Sequence, residues 1–173
     1  MNLNLNYRIG YRAIKTCVAV FLCFVTTTVI THGNPFYAAI ATVICIQQTH
    51  EKTLQMGAHR FLGTIIGGIL GYLFIEIGGR FPGFFNIIYI FFVPLATLLA
   101  IYICNIFNLL ASTSICCIVL LNIVSNYERG ASNTLYYAAD RVFETTLGIL
   151  IAVLVNRFLF QHVSNENETN AKQ

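Results

Sequence analysis

The sequence predicts an all-α integral membrane protein of six transmembrane helices, built as two inverted three-helix repeats. Three observations carry that expectation: a composition poor in charge, apolar runs of span length, and an arginine motif that occurs twice. Hydrophobic residues make up 57% of the 173-residue chain and charged residues 10%, with a mean hydropathy of +0.71. Soluble domains carry about 25% charged residues. This chain cannot clothe a water-facing surface, so membrane lipid is its expected solvent. Its length suits one membrane domain over residues 1–162, with no large soluble domain beside it. The net charge of +3 is small and scattered, which points away from nucleic acid.

A helix needs about 20 residues to cross a hydrocarbon core of about 30 Å. The first run, 14–30, is entered through Arg8, Arg12 and Lys15. It has the charged start of a signal peptide, but "THGNPFYAA" behind it lacks a small-x-small cleavage site, so it reads as a retained span. The second run, 35–49, is short, with Asn34 expected as N-cap and Pro35 at the first helical position. The third is 61–77. From Phe84 to Val124 there follow 41 residues without a charge. One helix of that length would reach about 60 Å, twice the core, so the chain must fold back. The asparagines of "CNIFN", 104–108, mark the turn. This gives a fourth run, 84–103, kinked at Pro94, and a fifth, 109–124. The sixth is 142–160, and residues 163–173 are expected to form an unstructured polar tail.

Six spans put both termini on one side. With that side cytoplasmic, the inner face holds Arg8, Arg12, Lys15, Lys52, Arg60, Arg157 and Lys172, against Arg80, Arg129 and Arg141 outside. This bias favours cytoplasmic termini. Residues 50–60 are then a short cytoplasmic helix or linker, and 126–141 its outer counterpart.

The six cysteines lie in apolar runs without C-x-x-C spacing, and the four histidines lack i, i+4 partners, so no metal or disulfide is expected. No cofactor is implied: G-x-x-x-x-G-K-[ST], the phosphate-binding loop, does not occur. Neither a Ser/His nor a His/Asp constellation suggests an enzyme.

Residues 58–73, "AHRFLGTIIGGILGYL", are echoed by 139–154, "ADRVFETTLGILIAVL". Each copy has A-x-R, threonine four residues after the arginine and glycine seven after it. The copies open the third and sixth spans, which cross in opposite directions. Inverted repeats of this kind belong to transporters, whose two halves exchange inward- and outward-facing shapes.

Gly63, Gly67 and Gly71, with Gly148 in the second copy, are expected to let helices pack closely. Arg60 and Arg141 admit two readings. They anchor the spans at the interface by snorkelling, or they bind an anion, each beside a helix N-terminus whose dipole favours negative charge. On the second reading Thr64 and Thr145, one turn further in, donate hydrogen bonds to the ligand. Glu144, three residues after Arg141, is either its ion-pair partner or the carrier of a coupling proton. Lys15 faces either the interface or a cavity. Gln47, Gln48, Asn122 and Asn126 read as helix–helix hydrogen-bonding groups.

"GYRAIKTCVAVFLC" (10–23), "NPFYAAIATVICIQQT" (34–49), "RFLGTIIGGILG" (60–71) and "RVFETTLGILIAVLVN" (141–156) occur in an order that resembles the aromatic acid exporter family of bacteria, within the broader fusaric acid resistance-like group. The resemblance covers about residues 8–158. It implies export of anionic organic acids, since the group includes exporters of hydroxylated aromatic carboxylic acids and plant malate channels. Many relatives carry a cytoplasmic domain after the sixth span, where this sequence has only its polar tail. The expected function is therefore export of organic, chiefly aromatic, carboxylates across the cell membrane by a secondary or channel-like mechanism, from a homodimer. The alternative is a non-transporting membrane subunit that assembles with a partner through its glycine faces.

Overall fold

The computed structural model describes residues 11–30, 35–78, 80, 87–127 and 134–170. Among them are six α-helices and no strand: α1 (Tyr11–Ile30), α2 (Phe36–Cys45), α3 (His50–Gly78), α4 (Ile87–Ile106), α5 (Leu110–Tyr127) and α6 (Thr134–Asn170). Arg8, the Asn34 cap, the first residues of the fourth run, Arg129 and Lys172 lie outside the described residues.

The helices divide into two compact units. The first contains α1, α2, the opening turns of α3 and the second half of α6, from Leu147 onward. Its core is built of Ala19, Cys23, Ala38, Cys45, Ile46, Ile151, Ala152 and Val155. The second contains α3 from Gly57, α4, α5 and α6 up to Thr146. Ile75, Ala100, Cys104, Cys116, Leu120, Ile123, Val124 and Ala138 form its core.

Both units depart from the pattern of a water-soluble bundle. Small and polar residues are buried: Ala19, Ala38, Ala41, Ala100, Ala152, Ser112, Thr27, Thr42, Thr53 and Thr64. Large apolar residues face outward, as along α4 with Ile90, Phe91, Leu95, Leu98 and Ile106. In lipid there is no gain from hiding leucine, and close backbone contact between small residues holds helices together instead. The threonines are accommodated by bonding their own helix. Thr27, Thr42, Thr64, Thr97 and Thr146 each donate to the carbonyl four residues earlier, at 2.7–2.9 Å.

Several expected boundaries move. The second helix spans ten residues, not the expected fifteen, and begins after Pro35. Pro35 is its N-cap: the prolyl carbonyl accepts the first helical bond, from Ala39 N at 2.9 Å. After Cys45 the chain extends through Ile46 (ψ 110°). Thr49 then caps α3, accepting from Lys52 N at 3.3 Å. Residues 50–60 are thus neither a linker nor a separate helix but the first turns of α3. Similarly, α6 starts at Thr134, ahead of the sixth run, and continues through Asn170 where an unstructured tail was expected. No Gly or Pro follows Gly148 to stop it. Pro94 lies inside α4, which continues through it.

The predicted reversal falls where expected. Leu109 N bonds Cys104 O at 2.9 Å and Asn108 N bonds Asn105 O at 3.1 Å, the paired bonds of a Schellman cap. That cap requires a left-handed residue, and Asn108 supplies it at φ 53°.

Among the described residues, α3 alone is long and apolar enough by itself to cross a bilayer. The apolar stretches of α1, α2, α4 and α5 are shorter: Ala13–Val29, Phe36–Cys45, Ile90–Ile106 and Leu110–Asn126.

Candidate functional site

In the second unit, α6 carries a charged cluster into buried surroundings. Tyr137, Asp140, Arg141 and Glu144 fall at i, i+3, i+4 and i+7, so they share one side of the helix. Arg141 and Glu144 are 6% and 4% exposed. Arg141 Nη1 lies 3.0 Å from Glu144 Oε2, and Nη2 lies 3.3 Å from Asp140 Oδ2. The Glu144 contact is an ion pair without hydrogen-bond angles. The guanidinium also sits over the Tyr137 ring, 4.7 Å from its centroid. Both edges of the arginine fork therefore meet carboxylates while one face meets an aromatic ring. The two carboxylates differ, since Asp140 is half exposed and Glu144 is not. Water weakens the first pair far more than the second.

Arg60 is buried on α3 in the same unit. His59 beside it meets Ser112, at the start of α5, with Nδ1 3.5 Å from Oγ. Tyr137, one turn before Arg141, donates to Asn122 Oδ1 at 2.9 Å, near the end of α5. Ser112 and Asn122 are ten residues apart in one helix, about 15 Å along its axis. The two arginines thus belong to different levels of the unit.

Neither arginine stands at a helix N-terminus, which corrects the dipole argument. Arg60 lies ten residues into α3 and Arg141 seven into α6, and the dipole's effect is confined to the first turn. Any anion binding must come from the guanidinium and its neighbours. Thr64 is buried, but its hydroxyl hydrogen goes to Arg60 O at 2.9 Å, so a ligand would have to compete for it. Thr145 is also buried in this unit.

In the first unit Lys15 is buried, with Nζ 3.4 Å from Asn156 Oδ1. Asn156 Nδ2 donates to Thr53 Oγ1 at 2.7 Å, and Thr53 accepts from Gln47 N at 3.1 Å while donating to Thr49 O at 3.0 Å. This network joins α1, the α2–α3 turn, the start of α3 and α6. Lys15 thus points into the protein, towards α6. Asn156, Thr53 and Tyr137 are not among the residues expected from the sequence. The available signals were an amide and a hydroxyl in apolar surroundings, and an aromatic four residues before Arg141.

The motif glycines lie against other helices of the same chain. A Cβ on Gly63 would stand 2.7 Å from Ser112 O, and one on Gly67 would overlap the Cys116 carbonyl. Gly71 lies against Ile123. In the first unit a Cβ on Gly148 would overlap the Ala38 carbonyl and stand 2.7 Å from the Ala41 Cβ. Among the described residues no group of three or more His, Cys, Asp or Glu is placed to hold a metal.

An interior rich in small and polar residues beneath an apolar exterior, with buried charge on α1, α3 and α6, fits a helical membrane protein. Residues 7–159 match the family described as aromatic acid exporter family member 1. The chain belongs to that family, which is one of membrane exporters rather than enzymes. It is 33% identical to the uncharacterized protein YqjA of Bacillus subtilis over 95 residues, covering 55% of this chain and 30% of that protein. It is 27% identical to UPF0421 protein OB2406 of Oceanobacillus iheyensis over 87% of this chain and 40% of the relative. Against UPF0421 protein SSP0904 of Staphylococcus saprophyticus the identity is 26%, over 86% and 42%. The chain thus spans well under half the length of these relatives. No solved structure matches it significantly.

Proposed function

We propose that this chain is a membrane module through which organic carboxylates, aromatic ones foremost, leave the bacterial cell by a secondary or channel-like mechanism. The observation that carries the reading is Arg141, buried on α6 with its fork divided between Asp140 and Glu144. A guanidinium so held is matched in geometry to a third carboxylate. An arriving anion displaces the solvated Asp140 from Nη2. Glu144, the deep partner, then sets the charge of the site. While it is ionised, a bound anion leaves a net negative charge buried; once it is protonated, the arginine's charge is available to the ligand. Anion binding and proton uptake at Glu144 therefore favour each other. Arg60 with Thr64 would form a second station at another level of the unit, Thr145 lies one turn beyond Arg141 on α6, and Lys15 would contribute positive charge in the first unit.

Six crossings with cytoplasmic termini remain our reading. It is supported by the meeting of Lys15 near the start of α1, Gln47 after α2, Thr53 near the start of α3 and Asn156 late in α6, since alternating spans bring those ends to one face. The ten-residue α2 would complete its crossing through Ile46 and the following turn, where Thr53 accepts from Gln47 N. Irregular backbone at membrane depth is tolerated only where protein or a cavity surrounds it, and interrupted helices mark the binding region of transporters.

The inverted repeat is supported by two matching contacts. Gly67 and Gly148 each lie seven residues after a motif arginine. Each abuts a backbone carbonyl, one on α5 and the other on α2, the middle helices of the two halves. The non-transporting alternative relied on glycine faces for a partner. Gly63, Gly67, Gly71 and Gly148 are instead covered from within the chain, so a homodimer would use large apolar side chains such as those along α4.

The experiment is benzoate efflux from liposomes containing the purified chain. Saturable efflux above that of empty liposomes supports transport. Efflux equal to empty liposomes, with the protein folded, favours the non-transporting subunit.

A further inference from the structure

A contact of the Arg141 cluster reaches another helix. Tyr137 lies under the guanidinium, and its hydroxyl donates to Asn122 Oδ1 at 2.9 Å across from α6 to α5. Asn122 is tied further into α5, where its carbonyl accepts from Asn126 Nδ2 at 2.8 Å. The ring is therefore fixed at both ends, by its own helix and by Asn122.

An arginine carried on four rotatable bonds recognises a carboxylate well only when its plane is already set, because ordering it on binding costs affinity. Asp140 and Glu144 attract the fork along its edges, but the Glu144 contact lacks hydrogen-bond angles and Asp140 is half exposed, so they hold the rotation of its plane only loosely. A ring against one face does fix it. It also closes that face to ligand, leaving the Nη2 edge, where Asp140 is half exposed, as the side of approach.

We propose that Tyr137 and Asn122 form a positioning pair for the anion site, with Asn122 holding the ring and the ring holding the plane of Arg141. The inference rests on the reading of Arg141 as the anion-binding group. Tyr137 acts through the arginine and does not touch the anion. The same chain of contacts links occupancy of Arg141 to the α5–α6 junction.

The test is initial-rate efflux from proteoliposomes, normalised to folded protein. Benzoate and cyclohexanecarboxylate serve as probes of similar size with and without an aromatic ring. Tyr137→Phe keeps the ring and removes its tether; Asn122→Ala removes the tether from the other side. Each variant is expected to raise KM about 3- to 10-fold, the range set by losing one hydrogen bond, with the maximal rate little changed. The double variant should match either single one, because both break the same link. Both probes should shift equally. The near-isosteric Tyr137→Phe carries the test by itself if Asn122→Ala does not fold. Unchanged KM in Tyr137→Phe, while Arg141→Ala raises it, overturns the positioning role and leaves the arginine site standing. A shift confined to benzoate also overturns it, since the ring would then be stacking on the substrate. If Arg141→Ala has no effect, the anion-site reading itself fails.

Discussion

Arg141 meets two carboxylates of unequal exposure, and the proposed anion site gives them different work. Asp140 is solvated and readily exchanged, whereas Glu144 is buried and cannot lose its partner cheaply. If Glu144 takes up a proton as the anion binds, anion affinity rises as pH falls, as long as the substrate stays ionised. Glu144→Gln mimics the protonated state and should flatten that dependence. Efflux KM for benzoate measured between about pH 5.5 and 8 checks it, and a profile in Glu144→Gln parallel to wild type would remove Glu144 from the coupling. The arginine, the glutamate and the threonines were legible in the sequence because a polar residue in an apolar run stands out and the motif occurs twice. Their setting was not. The Thr49 cap and the early start at Thr134 leave both arginines well inside helices, and apolar periodicity carries no information about such polar extensions. Tyr137 and Asn122 were hidden for a different reason: their bond joins two helices, and nothing local encodes that pairing.

Helix contacts depend on where a backbone can approach another. Gly67 and Gly68 are adjacent on α3, yet a Cβ on the first would overlap the Cys116 carbonyl and one on the second would meet nothing within 4 Å. Gly67→Ala should therefore destabilise the protein by about 1–3 kcal/mol, the usual range for overpacking. Gly68→Ala should be neutral or stabilising by up to about 1 kcal/mol, from helix propensity alone. Thermal unfolding of both variants in mild detergent distinguishes them, and equal stability would mean that the α3–α5 crossing is looser than described. The i, i+4, i+8 spacing announced a packing face, and Asn108 announced the reversal between α4 and α5. What the spacing left open was the partner, because glycines serve an internal helix and a second molecule equally well.

At the scale of the molecule, the proposed six crossings with cytoplasmic termini rest on the lysine and arginine bias and the alternation of helices. A single cysteine at Ser132, between α5 and α6, in a cysteine-free background should react with an impermeant maleimide from outside the cell. Labelling only after the inner face is opened would reverse the orientation. The membrane class was legible because composition alone reports the solvent. The helix count was legible from run lengths, while the division into two compact units was not, since α3 and α6 each contribute to both. The central claim is that the buried Arg141 is where a carboxylate binds. Lysine retains the charge but not the planar fork, so the two roles of this arginine diverge on that substitution. The decisive measurement is benzoate efflux from proteoliposomes holding equal folded amounts of wild type, Arg141→Lys and Arg141→Ala. The account predicts a rise in KM of about 10-fold or more for Arg141→Lys, the cost of one charge-assisted hydrogen bond, and a larger loss for Arg141→Ala. Wild-type kinetics in Arg141→Lys, with Arg141→Ala impaired only in its folding, would show an interfacial anchor and contradict the account.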